Sequence, residues 1–201
     1  YFNDLLSWSA IGARTTESQV HRELASGIST PVGFKNSTDG NIRIAIQAIK
    51  SSQMAHNFLG CDMSGNICAV KTQGNPYSHI ILRGSRFFPN YFSENVKQTE
   101  KELRDNNIKP NIWIDFSHDN SKKDYTRQIL VAEDVSQQIS SGNKFIRGIM
   151  IESNLVEGKQ NIENTPLKYG QSITDGCVNL DTTQIILNLL AESKRKRDEL
   201  I

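Results

Sequence analysis

The sequence predicts an α/β fold of parallel strand–helix units, with functional groups at the C-terminal ends of the strands. Three observations carry this. Short apolar runs recur along the chain, each ends in a polar or charged residue, and segments of helical periodicity lie between them. Near-continuous apolar runs suit strands buried on both faces of a parallel sheet.

The first run is Ile11-Gly12-Ala13, ending at Arg14, and the second is Val32-Gly33-Phe34, ending at Lys35 and Asn36. Ile80-Ile81-Leu82 ends at Arg83, Ile112 to Phe116 ends at Ser117 and His118, and Ile149-Met150-Ile151 ends at Glu152. Between them, Glu17 to Ser26 predicts a helix with Val20 and Leu24 on one face, and Asp39 is placed to cap a helix carrying Ile42, Ile46 and Ile49. Ser93 is placed to cap a helix with Val96 and Leu103. Lys122 to Ile139 predicts a further helix with Ile129, Ala132, Val135 and Ile139 inward, and Asp181 with Gln184 resembles a capping box before Ile185 and Ile186. One segment breaks the alternation: Asn57–Cys61 and Ile67–Thr72 flank Ser64-Gly65-Asn66 and predict an inserted β-hairpin.

Five such units imply a (β/α) architecture. A closed (β/α)8 TIM barrel needs eight strands and typically about 250 residues. The expectation is therefore that residues 1–201 form the C-terminal part of one barrel catalytic domain, with a hairpin inserted at 57–72 and about three N-terminal units outside this sequence. An open flavodoxin-like sheet is the structural alternative.

Composition narrows the function classes. The net charge of +1 offers no global attraction to nucleic acid or anionic membrane, so anion binding must come from local groups. No apolar run approaches the roughly 20 residues of a membrane span. Cys61, Cys68 and Cys177 form neither a disulfide framework nor a CxxC pair, which suits a reducing, cytoplasmic setting. Lys194 to Arg197 reads as the solvated end of a helix, where basic residues complement the dipole.

The strand ends fall into two chemical groups. Arg14, Lys35 and Arg83 are cationic and suit a small polyanion, the arginines by bidentate contact with phosphate. His118 and Glu152, joined by Asp175 of the loop Ser172–Asp175, are ligand types for a divalent metal used as a Lewis acid. Singly, each has a plainer reading: a strand-end arginine as an ion-pair partner, His118 as a hydrogen-bonded structural histidine, Asp175 as a turn cap. Their expected convergence carries the site. His56 and His79 read as structural, His21 as a solvent-facing residue in mid-helix, and Cys177 as a small buried thiol.

Longer motifs now become specific. Gly12-Ala13-Arg14-Thr15-Thr16-Glu17-Ser18-Gln19, Pro31-Val32-Gly33-Phe34-Lys35-Asn36, His79 to Gly84, Ile114-Asp115-Phe116-Ser117-His118, Met150 to Ser153 and Tyr169 to Asp175 occur in that order. The chain closely resembles the type I 3-deoxy-D-arabino-heptulosonate 7-phosphate (DAHP) synthases over essentially its whole length. The resemblance implies condensation of phosphoenolpyruvate with erythrose 4-phosphate, the first step towards aromatic amino acids. It implies that Arg14 and Arg83 hold the phosphate of phosphoenolpyruvate, with the backbone at Ala13 close by, and that Lys35 helps bind the same substrate. Lys35 and His118 are the catalytic candidates. The metal ligands carried over are His118, Glu152 and Asp175, for manganese, iron, cobalt or zinc. The family's fourth ligand, a cysteine on the first strand, matches none of the three cysteines here.

In the family the hairpin helps build a feedback pocket for an aromatic amino acid, which makes Ser29, Phe58, Gly60 and Val70 regulatory candidates. A homo-oligomer, dimer or tetramer, is also expected. Cys61 to Asn66 departs from a commoner Thr-Lys-aromatic-Gly turn, and Gly176 to Leu180 from Ala-Cys-Ile-Gly-Trp. Two competing readings are a sister synthase using arabinose 5-phosphate, against which the Gly-Ala-Arg-Thr-Thr-Glu-Ser match argues, and a non-catalytic paralogue that binds an aromatic amino acid. The six intact site residues speak against the latter.

Overall fold

Val32–Lys35 and His79–Leu82 are buried at every position, the pattern of strands covered on both faces. The computed structural model describes residues 5–200. It has two compact units, Tyr1–Ile81 with Glu100–Asn111, and Leu82–Thr99 with Ile112–Ile201.

The first unit contains β1 (Ser9–Ile11), α1 (Gln19–Gly27), β2 (Val32–Lys35), α2 (Ile42–Ser52), β3 (Asn57–Cys61), β4 (Ile67–Lys71) and β5 (His79–Leu82), whose last residue opens the second unit. Strand β2 pairs in parallel with β1 through Ser9↔Val32 to Ile11↔Phe34, and with β5 through Gly33↔His79 to Lys35↔Ile81. The parallel α/β architecture is the one predicted. Val32, Phe34, Ile46, Ile49, Ile80 and Leu103 are buried in this unit. Strand β1 lies two residues earlier than its apolar run suggests, which frees Gly12 to Glu17 to form the turn before α1.

Two local expectations are corrected here. Asn41, not Asp39, caps α2: its side chain accepts from the Arg43 amide at 3.0 Å. The Asp39 carboxylate is already engaged by the Asn41 amide and the Ser37 hydroxyl, so it shapes the preceding turn. In α1, Val20 and Leu24 are 63% and 49% exposed, and the buried residues are Ala25 and Ser26. Small residues face inward because Ser26 Oγ lies 2.7 Å from Thr72 Oγ1, at the base of the hairpin.

The hairpin forms as predicted, antiparallel from Asn57↔Lys71 to Cys61↔Ile67. The Asp62 carboxylate closes its turn, accepting from the Asn66 and Ser64 amides and the Asn66 side chain. These bonds, those from Asn66 foremost, hold the Asp62 carboxyl below its ordinary range.

Helix α3 (Ser93–Asp105) runs from the second unit into the first, with Val96 and Leu103 buried as expected. The second unit continues with β6 (Ile112–Asp115), α4 (Gln128–Ser140), β7 (Ile146–Met150), β8 (Val156–Lys159), β9 (Gln171–Ser172) and α5 (Leu180–Asp198). Strands β6 and β7 are parallel, with a register shift between Ile112 and Trp113. Gly148 sits opposite Trp113, where any Cβ would stand 2.3 Å from the indole ring. Strands β8 and β9 form a small parallel pair that the sequence did not announce.

Helix α4 begins at Gln128, not Lys122. Lys122 and Lys123 have φ of 55° and 59°, left-handed values that no α-helix accommodates. A 3₁₀ turn at Tyr125–Arg127, capped by Asp124, leads into the helix. Val131, Ala132, Val135 and Ile139 form its buried face, with Ile129 only half-buried. The expected capping box on α5 is also displaced. Asn179 accepts from the Thr182 amide at 2.8 Å, which leaves Asp181 in the first turn, while Gln184 bonds Asn188. At the far end Lys194 pairs with Asp198 and Lys196 with Glu192, a solvated helix terminus. Among the described residues, no helix is long and apolar enough to cross a membrane.

Replacing Asn179 with alanine in the full-length protein is expected to cost about 1 kcal/mol of unfolding free energy in chemical denaturation. Asp181→Ala is expected to cost about 0.3 kcal/mol through the helix dipole alone. A larger loss at Asp181 than at Asn179 would restore the capping box.

Candidate active site

Asp115 ends β6 with none of its surface exposed. A carboxylate taken out of water needs charged or hydrogen-bonding partners. Its Oδ1 accepts from the Ser117 amide at 3.0 Å and the Ser117 hydroxyl at 2.6 Å, and its Oδ2 lies 2.8 Å from His118 Nδ1. A carboxylate can only accept, so Nδ1 is the donating nitrogen of this pair, and a neutral imidazole held this way presents its lone pair at Nε2. His118 has φ of 52°. Its Nε2 lies 3.7 Å from Glu152 Oε1.

Glu152 follows β7, and Gln128, fully buried at the start of α4, grips its main chain from both sides. Gln128 Nε2 donates to the Glu152 carbonyl at 3.0 Å, and the Glu152 amide donates to Gln128 Oε1 at 2.9 Å. The Val178 amide also donates to the Glu152 carbonyl, at 3.0 Å, and Cys177 bridges Gly158. These contacts lay the Asp175 loop beside the β7 exit. One donor atom each from His118, Glu152 and Asp175 fall within 4.8 Å of one another, Asp175 being the exposed member.

This donor set fits a divalent ion. Two ligand atoms each about 2.1 Å from one metal at a tetrahedral angle stand roughly 3.4 Å apart, close to the observed His118–Glu152 separation. The buried carboxylate behind Nδ1 is the arrangement that fixes a metal-binding imidazole. Burial raises the Cys177 thiol above its ordinary value, and the Glu152 and Asp175 carboxylates add to this. The thiol is half-buried, not buried as the sequence suggested.

Arg83 belongs to the same unit. Its side chain is 7% exposed, and its Nη1 pairs with Oδ2 of Asp119, which is 14% exposed. Gly84 has φ of 81°, and a Cβ there would come within 2.6 Å of the Asn120 amide, so only glycine lets the two loops meet backbone to backbone. Asn120 joins them: its Nδ2 donates to Leu82 O at 3.1 Å and Asp115 O at 2.8 Å, and its Oδ1 accepts from the Asn90 amide at 2.9 Å. Asn90 Oδ1 in turn accepts from the Gly84 amide at 2.7 Å.

In the first unit, Ala13 and Arg14 lie in the turn after β1, and Lys35 ends the parallel neighbour β2. Buried Thr16 ties them together, its hydroxyl 3.0 Å from Gly12 O and 2.7 Å from Lys35 O. Arg14 is exposed and Lys35 is 9% exposed. Of the regulatory candidates, Phe58 and Val70 are cross-strand partners, Gly60 lies on the same half-buried face, and Ser29 is exposed in the turn after α1.

The remaining histidines are held structurally. Buried His79 lies 3.1 Å from both Trp8 Nε1 and Tyr77 O, and burial lowers its pKa. His56 Nε2 lies 2.8 Å from Ser51 O. His21 is not in mid-helix but in the first turn of α1, part-buried, with Nδ1 2.7 Å from Ser18 Oγ. Sequence reasoning missed Asp115, Asp119, Asn120, Gln128 and Thr16. Asp115 carried a signal, a charge closing an apolar run; the others had none.

The fold and these clusters define a parallel α/β chain with a candidate metal centre beyond its strand ends. Residues 1–188 match the model of the DAHP synthetase I family. The chain is 52% identical over 189 residues to the Tyr-sensitive phospho-2-dehydro-3-deoxyheptonate aldolase of Enterobacter agglomerans, covering 93% of this chain and 88% of that protein. It is 51% identical over 189 residues to the Tyr-sensitive enzyme of Escherichia coli K12, covering 53% of it. Identity to the Trp-sensitive enzyme of Buchnera aphidicola subsp. Schizaphis graminum is 52% over 194 residues, 56% of that protein. A solved structure, phospho-2-dehydro-3-deoxyheptonate aldolase from Francisella tularensis SCHU S4, matches with a TM-score of 0.95 and 47% identity, over 98% of this chain and 57% of that one. The chain belongs to the DAHP synthetase I family. It spans little more than half the length of the last three relatives.

Asp115→Ala in the full-length protein is expected to weaken Mn²⁺ binding about 10–100-fold by calorimetric titration. Unchanged affinity would show that the imidazole needs no carboxylate behind it.

Proposed function

We propose that the full-length protein is a phospho-2-dehydro-3-deoxyheptonate aldolase, condensing phosphoenolpyruvate with erythrose 4-phosphate and water to DAHP and phosphate. The observation that carries this reading is family membership together with an intact set of Arg14, Lys35, Arg83, His118, Glu152 and Asp175, three of which gather their donor atoms within 4.8 Å. The parallel strand–helix units support a (β/α)8 barrel as the complete catalytic domain, with residues 57–72 as its inserted hairpin.

In this reaction carbon 3 of phosphoenolpyruvate bonds to the aldehyde carbon, water adds at carbon 2, and the phosphate leaves with its bridging oxygen. In the first unit Arg14, the Ala13 backbone and Lys35 take the phosphoenolpyruvate roles that the family motifs carry; in the second Arg83 does so. A divalent ion held by His118, Glu152 and Asp175, whether manganese, iron, cobalt or zinc, supplies Lewis-acid polarisation of the reacting carbonyl. Asp115 keeps the His118 proton on Nδ1, and Gln128 holds the main chain of Glu152 in place.

Regulation follows from the same reading. The Tyr-sensitive and Trp-sensitive names of the relatives support an aromatic amino acid as feedback inhibitor, with Ser29, Phe58, Gly60 and Val70 lining its site. We place the enzyme in the cytoplasm as a homo-oligomer.

A coupled assay on the full-length protein tests the proposal. Turnover is expected with erythrose 4-phosphate and not with arabinose 5-phosphate, and chelation should abolish it. Truncating one partner of a buried charge pair costs about 2–5 kcal/mol, so Arg83→Ala should lower kcat/KM for phosphoenolpyruvate by at least about tenfold, and Arg14→Ala, at an exposed position, should lower it by less. Excising residues 57–72 should change inhibition by aromatic amino acids more than turnover. Full activity after exhaustive chelation, or no activity with either sugar phosphate, would defeat the reading.

A further inference from the structure

Arg83 already has an anion on it. Asp119 Oδ2 sits on Nη1 of the guanidinium, and both side chains are largely withdrawn from water. A phosphate approaching that edge of the fork therefore meets a carboxylate, and two anions compete for one cation. Nor can the carboxylate retreat far. Gly84 packs against the Asp119 main chain, where a Cβ would lie 2.7 Å from its carbonyl carbon. The next residue, Asn120, is buried and bonded to Leu82, Asp115 and Asn90. With its main chain packed in this way, Asp119 moves aside by rotating its side chain.

We propose that Asp119 is an affinity-setting residue, an internal competitor for the substrate phosphate at Arg83. It weakens the binding of phosphoenolpyruvate and inorganic phosphate alike. This rests on the reading that Arg83 holds the phosphate of phosphoenolpyruvate. The carboxylate neutralises a buried arginine, and it sets a threshold that only a strongly charged anion overcomes.

The test uses the full-length enzyme and the Asp119→Asn variant, which keeps the shape and removes the charge. KM for phosphoenolpyruvate and the inhibition constant of inorganic phosphate, measured against phosphoenolpyruvate, should both fall roughly three- to thirtyfold. The change in kcat should be smaller than that in KM. Adding Arg83→Ala to Asp119→Asn should erase the gain. If both constants rise or stay unchanged in Asp119→Asn, Asp119 orients Arg83 or is merely structural, and the proposal is overturned. Should the asparagine variant fail to fold, Asp119→Ser gives the same comparison. If Arg83→Ala alone leaves both constants unchanged in an active enzyme, the phosphate lies elsewhere, and the failure is traced to the underlying reading.

Discussion

A carboxylate sealed inside a protein dictates what surrounds it, and Asp115 does so here. With no exposed surface it must be matched, and it is matched by Ser117 and by the Nδ1–H of His118. Removing one partner of such a buried pair typically costs about 3–5 kcal/mol, so the side chains of the β6 exit are set together. One consequence is chemical: Nδ1 is turned to Asp115 as the donating nitrogen, and Nε2 lies near Glu152. Another is geometric, since the chain must turn through a left-handed residue at His118.

The same exit is fastened to its neighbours in the second unit. Asn120 spends both amide hydrogens on the main chains of Leu82 and Asp115, and Gln128 clips α4 to Glu152. Leu82, Asp115, Asn120 and Gln128 are buried and Glu152 half-buried, and a buried hydrogen bond left unmade costs about 1–3 kcal/mol. The anion-type residue Arg83 and the metal-type residue His118 are therefore carried on loops that share a polar scaffold. Any shift of one backbone is felt by the other.

How far the sequence revealed this depended on the range of the interaction. Strand interiors such as Ile80 to Leu82 and Ile112 to Ile114 were legible because burial on both faces leaves an uninterrupted apolar run. The hairpin was legible from Ser64-Gly65-Asn66, whose glycine has φ of 83°. Helix starts were not. Asp39 and Asp181 are capping types, yet the caps are Asn41 and Asn179, because capping is decided by which side chain reaches the second or third amide. The left-handed Lys122 and Lys123 give no sign in residue type. Val20 and Leu24 misled because apolar spacing reports a face, not whether that face is covered. Within the site, the donors His118, Glu152 and Asp175 stood out by chemistry at strand ends. Their supports did not: Gln128 acts on a residue 24 positions away, and Asn120 on one 38 positions away.

The most direct test of this account is anomalous diffraction at the manganese edge from crystals of the full-length protein grown with Mn²⁺. A peak is expected about 2.0–2.3 Å from His118 Nε2 and from a carboxylate oxygen each of Glu152 and Asp175, with Nδ1 still hydrogen-bonded to Asp115. A peak away from these three residues, or His118 bound through Nδ1, would contradict it.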